Sequence, residues 1–145
     1  MLVSVLSAAF KFLRPSGSIS GEKWLDVMPL SEIKGDKPLP HSVISDQSAG
    51  WASTKEEHRV YVLPAKNHQV LSAVCPHEGC EVAWQEQNQV FACPCHESSF
   101  AADGSKVDGP ARRGLDPLPA RVENGTLQIQ YKSFVNNSEE RITRE

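Results

Sequence analysis

Four cysteines and two histidines fall into two short segments, Cys75-Pro76-His77-Glu78-Gly79-Cys80 and Cys93-Pro94-Cys95-His96. Together these use every cysteine of the 145-residue chain and two of its five histidines. Each segment offers a thiolate and an imidazole at close spacing, plus one further cysteine. A Cys-x-His pair and a Cys-x-x-His pair suit an iron–sulfur site in which one iron takes two sulfurs and the other two nitrogens. The same residue types also bind structural zinc, with four ligands around one tetrahedral ion. Zinc leaves two of the six donors idle, or takes the cysteines and drops the histidines. Free thiols without a metal are the remaining alternative.

Cys75-x-His77-x-x-Cys80, then fifteen residues between His77 and Cys93, then Cys93-Pro94-Cys95-His96 resembles the Rieske 2Fe–2S family. The resemblance runs from about residue 51 to residue 131. Cys80-Glu81-Val82-Ala83-Trp84 and Phe91-Ala92-Cys93-Pro94-Cys95-His96 look closest to the iron–sulfur subunits of bacterial cytochrome bc-type quinol oxidoreductases. The resemblance implies one 2Fe–2S cluster, with Cys75 and Cys93 on the buried iron and His77 and His96 on the outer one. It implies that the Ser98 hydroxyl bonds a bridging sulfide. It also implies a disulfide between Cys80 and Cys95 that joins the two cluster loops, and hence service on an oxidising side of a membrane.

The implied fold is all-β, an antiparallel β-sandwich of three sheets with an inserted rubredoxin-like cluster-binding subdomain. The implied role is electron transfer within a membrane quinol–cytochrome c oxidoreductase, by a subunit that is not catalytic alone. Quinol would supply an electron and a proton. A cytochrome b-like subunit and a cytochrome c-type acceptor would be the partners, with the domain on the periplasmic side of the bacterial cytoplasmic membrane. Two other roles share the cluster. The small subunit of a molybdenum oxidase such as arsenite oxidase also carries the disulfide, whereas soluble ferredoxins that serve oxygenases generally lack it.

Three residues depart from the family pattern. Phe100 stands where a tyrosine hydroxyl usually bonds a ligand sulfur, Glu97 where glycine is usual, and Glu78 where leucine is common. A missing hydrogen bond to sulfur and two carboxylates beside the cluster all favour its oxidised form. The expected midpoint therefore falls in the lower half of the Rieske range, which spans about −150 to +300 mV. Gly109-Pro110-Ala111-Arg112-Arg113 resembles the family's proline loop, which covers the cluster from a third side.

The elements that must position these loops read as strands. Short β runs at 23–27, 42–45, 59–63 and 69–74 are punctuated by Pro29, Gly35, Pro38, Pro40, Gly50, Pro64 and Asn67. Val60-Tyr61-Val62-Leu63 is apolar on both faces and predicts a central strand. Asn124-Gly125 supplies the positive φ values of a type I′ turn between 120–123 and 126–131. Within the second of these strands, Leu127, Ile129 and Tyr131 alternate with Gln128 and Gln130. Residues 73–113 hold too much Cys, Pro and Gly for a core of their own and read as the cluster-binding subdomain. The whole domain is expected over 21–134.

A length of 145 residues allows one domain. A formal charge of −3 with scattered Lys and Arg offers no basic stripe for nucleic acid. Trp24, Trp51 and Trp84 are expected in core or rim packing, and His41, His58 and His68 on the surface. Residues 2–12 are apolar except for Ser4, Ser7 and Lys11, too short a run to span a bilayer alone, for which about twenty residues are needed. Residues 1–20 are thus expected to be the remnant of a membrane anchor and its Pro/Gly/Ser neck. Residues 135–145 are polar and are expected to form a frayed tail or a short surface helix.

Overall fold

The computed structural model describes residues 23–49 and 51–144. The anchor and neck expected over 1–20 lie outside the described residues. Among the described residues, eleven strands form three antiparallel sheets, and the helical content is two single 3-10 turns, Leu30–Glu32 and Pro64–Lys66. No helix among the described residues is long and apolar enough to cross a membrane.

The first sheet is ordered β1 (Trp24–Pro29), β11 (Thr126–Gln130), β10 (Ala120–Glu123). Its hairpin turns at Asn124 (φ 49°) and Gly125 (φ 78°), the two positive values that Asn-Gly supplies at least cost. Leu127 and Ile129 are buried while Gln128 and Gln130 are not, so the two-residue alternation sets the inward face. The second sheet is ordered β2 (Leu39–Ala49), β3 (Ala52–Leu63), β4 (Gln69–Ser72), β9 (Pro117–Leu118). Here Val60, Tyr61, Val62 and Leu63 lie between β2 and β4 and are all buried, as a strand with neighbours on both edges and cover on both faces requires. The third sheet, β5 (Ala83–Gln85), β6 (Val90–Ala92), β7 (Ser99–Ala101), β8 (Lys106–Asp108), is the small subdomain.

Two apolar cores result, and β3 feeds both. Val60 and Val62 point into the core between the first two sheets, with Leu25, Val27, Val43, Val70, Leu118, Leu127 and Ile129. Tyr61 and Leu63 point the other way, into a core with Leu71, Phe91, Phe100 and the two unbridged cysteines. Alternate residues of one strand thus bolt the small subdomain to the base. Tyr61 adds a polar tie, its hydroxyl donating to the Val82 carbonyl at 3.3 Å and accepting from the Trp84 amide at 3.2 Å.

Three surface expectations are corrected. The side chain of Trp51 is fully exposed at the β2–β3 tip, while Trp24 lies under the Arg121 guanidinium and Trp84 packs edge-on to Phe91. His58 is buried, stacked on the Tyr131 ring at 3.7 Å with Nε2 2.8 Å from the Ser45 hydroxyl. Its partner lies seventy-three residues downstream, which no local pattern reveals. The C-terminal residues neither fray nor form a helix. They fold back as a strap, closed by a bridge between Phe134 and Thr143 and by the Val135 amide on the Ile142 carbonyl.

Burial holds the His58 pKa below its usual value of 6.5, with the Glu56 carboxylate opposing the shift. The folded state therefore prefers the neutral ring, and the unfolded chain binds more protons as pH falls through 6.5. The resulting stability is complete above pH 6.5 and is lost as pH drops toward the depressed folded pKa. Urea unfolding between neutral and mildly acidic pH should show this decline, and His58→Gln should flatten that part of the profile.

Candidate metal centre

Each Cys/His segment is a closed loop of the same construction. In the first, the Cys75 amide donates to the Cys80 carbonyl at 2.8 Å, and the base is sealed by the Val74–Glu81 bridge. In the second, the Cys93 amide donates to the Ser98 carbonyl at 2.8 Å, above the Ala92–Ser99 pair of β6 and β7. Both closures span five residues. In both loops the residue just before the closing one has a positive φ: Gly79 at 86° and Glu97 at 57°.

This equivalence explains why glycine is usual where this chain has Glu97; the choice of Glu itself has no structural explanation. The loop needs a left-handed residue there, a conformation that costs an L side chain roughly 1–2 kcal/mol. Glycine avoids that cost, though its freer unfolded chain gives back roughly 0.5–1 kcal/mol. Glu97→Gly should therefore stabilise the domain by about 0.5–1 kcal/mol. Urea unfolding with the disulfide intact would measure this.

The loops bring two kinds of donor together in separate pairs. Cys75 and Cys93 are buried and unbridged, and their thiols lie against each other. The rings of His77 and His96 meet edge to face with centroids 4.7 Å apart. His77 Nδ1 is buried with no hydrogen-bond partner, an arrangement that costs free energy unless a ligand sits there. Burial pushes the Cys75 thiol up to about 11. The His77 amide and the Ser98 hydroxyl bond its sulfur and oppose that rise, while the adjoining Cys93 adds to it. A buried dithiol of this kind wants a cation to become thiolate.

Cys80 and Cys95 form a disulfide, with Cα atoms 6.5 Å apart. The bond links the end of the first loop to the middle of the second and removes both sulfurs from metal binding. The donors left are two sulfurs and two ring nitrogens. Two sulfurs and two nitrogens would also serve one zinc, but the thiols paired on one side and the rings on the other suit a two-iron cluster.

A third loop closes over this arrangement. Ser98 is fully buried, and its Oγ accepts the Ala111 amide at 3.1 Å. Gly109 lies so close that a Cβ there would stand 2.4 Å from Ser98 Cα. The strap was not anticipated as part of the site, yet it reaches the loops. The Asn137 amide donates to the Pro76 carbonyl at 2.7 Å, and Arg112 Nε to Asn137 Oδ1 at 3.1 Å. Glu78 lies at the exposed rim, with Oε2 3.5 Å from His96 Nε2. Phe100 is fully buried in the same core as Cys75 and Cys93. His41 and His68 play no part in the cluster of donors.

A family model for the Rieske [2Fe-2S] domain matches residues 23–121. The chain belongs to the Rieske family. Its cofactor is a 2Fe–2S cluster, and the three sheets are the Rieske fold. The cytochrome b6-f complex iron-sulfur subunit 1 of Nostoc sp. (strain PCC 7120) is 44% identical over 111 residues, covering 77% of this chain and 55% of that one. The cytochrome b6-f complex iron-sulfur subunit of Synechococcus sp. (strain JA-3-3Ab) is 43% identical over 59 residues, 41% of this chain and 34% of that one. This Rieske chain thus spans between a third and about half of the length of these curated relatives. Among solved structures, the apo form of a quaternary ammonium Rieske monooxygenase aligns with a TM-score of 0.52 at 19% identity. That alignment covers 84% of this chain and 35% of the oxygenase chain, and at this identity it speaks for the fold alone.

Proposed function

We propose that this Rieske domain is the electron-carrying head of the iron–sulfur subunit in a membrane quinol–cytochrome c oxidoreductase. Cys75 and Cys93 hold one iron and His77 and His96 the other. When bound, the 2Fe–2S cluster supplies one-electron chemistry at a potential above that of an all-cysteine cluster. The chain's own residues do the rest. The cysteine loops and Ser98 keep water from the sulfur side, and the half-exposed His96 presents Nε2 at the rim, where an electron donor can reach it and leave a proton. Attachment through the N-terminal segment places the domain on the periplasmic side, next to a cytochrome b-like subunit and within reach of a cytochrome c-type acceptor.

The Cys80–Cys95 disulfide supports the membrane-complex part of this reading, which a molybdenum-oxidase subunit would share. A bond joining the cluster loops belongs to the complexes on oxidising sides of membranes and argues against a cytoplasmic ferredoxin that serves an oxygenase. The names of the two relatives given above point the same way. The test is purification from detergent-solubilised membranes of the source cells. The chain should travel with b-type haem and with quinol-dependent cytochrome c reduction, and the reduced sample should show the bis-histidine Rieske EPR signal. Recovery of the chain alone in the soluble fraction, or bound zinc without that signal, would overturn the proposal.

The site also carries a redox prediction. The midpoint near neutral pH should lie in the lower half of the range of about −150 to +300 mV for such clusters, and a value above about +250 mV would overturn this. Phe100→Tyr should raise it by adding a hydroxyl beside the ligand sulfurs. Ser98→Ala should lower it and also release the Ala111 amide, loosening the third loop. Protein-film voltammetry of the two variants checks both directions.

A further inference from the structure

A single peptide unit lies between the C-terminal strap and a ligand sulfur. The Asn137 amide donates to the Pro76 carbonyl at 2.7 Å, the shortest of the loop and turn backbone bonds among the described residues. That carbonyl belongs to the Pro76–His77 peptide, and no peptide bond among the described residues is cis. In a trans unit the C=O and the N–H point in opposite directions. With its carbonyl pinned to the strap, the unit aims the His77 N–H back into the loop, where it bonds the Cys75 sulfur. Asn137 N–H, the Pro76–His77 peptide and Cys75 Sγ thus stand in series.

Asn137 is itself held from the third loop. Its Oδ1 accepts from Arg112 Nε at 3.1 Å, and the next carbonyl, that of Ser138, accepts from Arg113 Nη1 at 2.7 Å. The backbone at Asn137 is left-handed, φ 54°, a conformation that asparagine tolerates better than most residues. Asn136 adds a contact with the same cluster loop, its Nδ2 standing 2.9 Å from where a Cβ on Gly79 would lie. The second loop has no such arrangement. There Pro94 is the counterpart of Pro76; it is exposed, and its carbonyl has no backbone donor among the described residues. Pro76 is fully buried, so its carbonyl depends on the strap for a partner.

We propose that Asn137 is a positioning residue for the cluster: its amide fixes and polarises the Pro76–His77 peptide, and the strap thereby sets the strength of the N–H bond to Cys75 Sγ. This rests on Cys75 holding iron, as proposed above. Hydrogen bonds in series strengthen one another by about 10–30% per bond. A ligand sulfur accepts more strongly when the site has gained an electron, so a stronger bond favours the reduced form and raises the potential. The strap offsets part of what the missing hydroxyl at Phe100 takes away.

The test compares two full-length chains that differ by one N–H. Both carry Asn137→Gly, which takes φ 54° without strain and keeps the amide. In the second, the 136–137 peptide bond is replaced by an ester. Protein-film voltammetry of the iron-loaded chains is the readout. At a fixed potential the ester chain should show a reduced-to-oxidised ratio lower by about 1.3- to 4.5-fold, the effect of a bond to a charged sulfur weakened by 10–30%. An ester chain that is less stable to urea but unchanged in potential would show Asn137 to be a structural tie only, and would overturn the proposal. Should the ester chain hold no iron, Arg112→Lys decides in its place, since it keeps the charge and removes the Nε donor that holds Asn137. A lower potential in that variant supports the relay, and an unchanged one overturns it. Cys75→Ser tests the ground beneath. If it keeps the original Rieske EPR spectrum and potential, Cys75 holds no iron, and the ligand assignment falls together with the relay. If it loses them, an unchanged ester chain overturns the relay alone.

Discussion

Asp116→Ala should destabilise the domain by about 3–5 kcal/mol, the usual cost of leaving one member of a buried ion pair without its partner. Asp116 accepts two hydrogen bonds from the Arg113 guanidinium, at 2.8 and 2.7 Å, and only 4% of either side chain is exposed. Arg141 approaches the same carboxylate from the strap at 3.3 Å. Removing Asp116 would leave two cations facing each other, one of them in the interior. Arg113→Met should cost less, because Asp116 keeps Arg141 and the methionine fills the vacated stem. Arg113 also donates to the Ser138 carbonyl at 2.7 Å, so both variants should loosen the strap and open it to limited proteolysis. Urea unfolding midpoints would compare the two, and equal losses would show that the pair is not organised around the carboxylate.

Gly109→Ala should cost about 2–5 kcal/mol and strip iron from the purified protein. Two penalties add. The position has φ 90°, where an L residue is strained by roughly 1–2 kcal/mol. The new Cβ would stand 2.4 Å from Ser98 Cα, 2.8 Å from Ser98 N and 2.9 Å from the Glu97 carbonyl oxygen. These are backbone atoms, which cannot swing aside, so the third loop must back away from the second at an overpacking cost of about 1–3 kcal/mol. Gly125→Ala is the control. It has φ 78° with nothing within 4 Å of the added carbon, so it carries the strain without the clash. The difference between the two variants in unfolding free energy and in iron per chain isolates the contact of the third loop with the cluster pocket.

What the sequence revealed, and what it hid, follows from the range of the forces involved. The Asn124-Gly125 hairpin and the central strand at 60–63 were legible because turn chemistry and a doubly apolar run are local signals. So were the donors of the site, since they lie within six residues of one another in each loop. Of β2 and β3 only 42–45 and 59–63 are legible, because the rows from Asp46–Lys55 to Ala49–Ala52 show no alternation of apolar and polar residues. His58 was assigned to the surface because its burial depends on Tyr131, from another sheet. The strap is hidden because its ties run to backbone carbonyls, to Arg112 and to Asp116 from a half-exposed Arg141, and polar residues without periodicity resemble any tail. Glu97 is visible as an oddity against the family pattern, but the left-handed backbone that makes glycine usual there needs coordinates.

The strap's bond from Asn137 to Pro76 has a consequence for biosynthesis. The two residues are about sixty positions apart, so the first cluster loop leaves the ribosome well before the segment that secures it. Chains fold as synthesis proceeds, but a pocket that depends on a later segment stays open until that segment emerges. Stable metal loading of the first loop is therefore expected only once residue 137 has emerged.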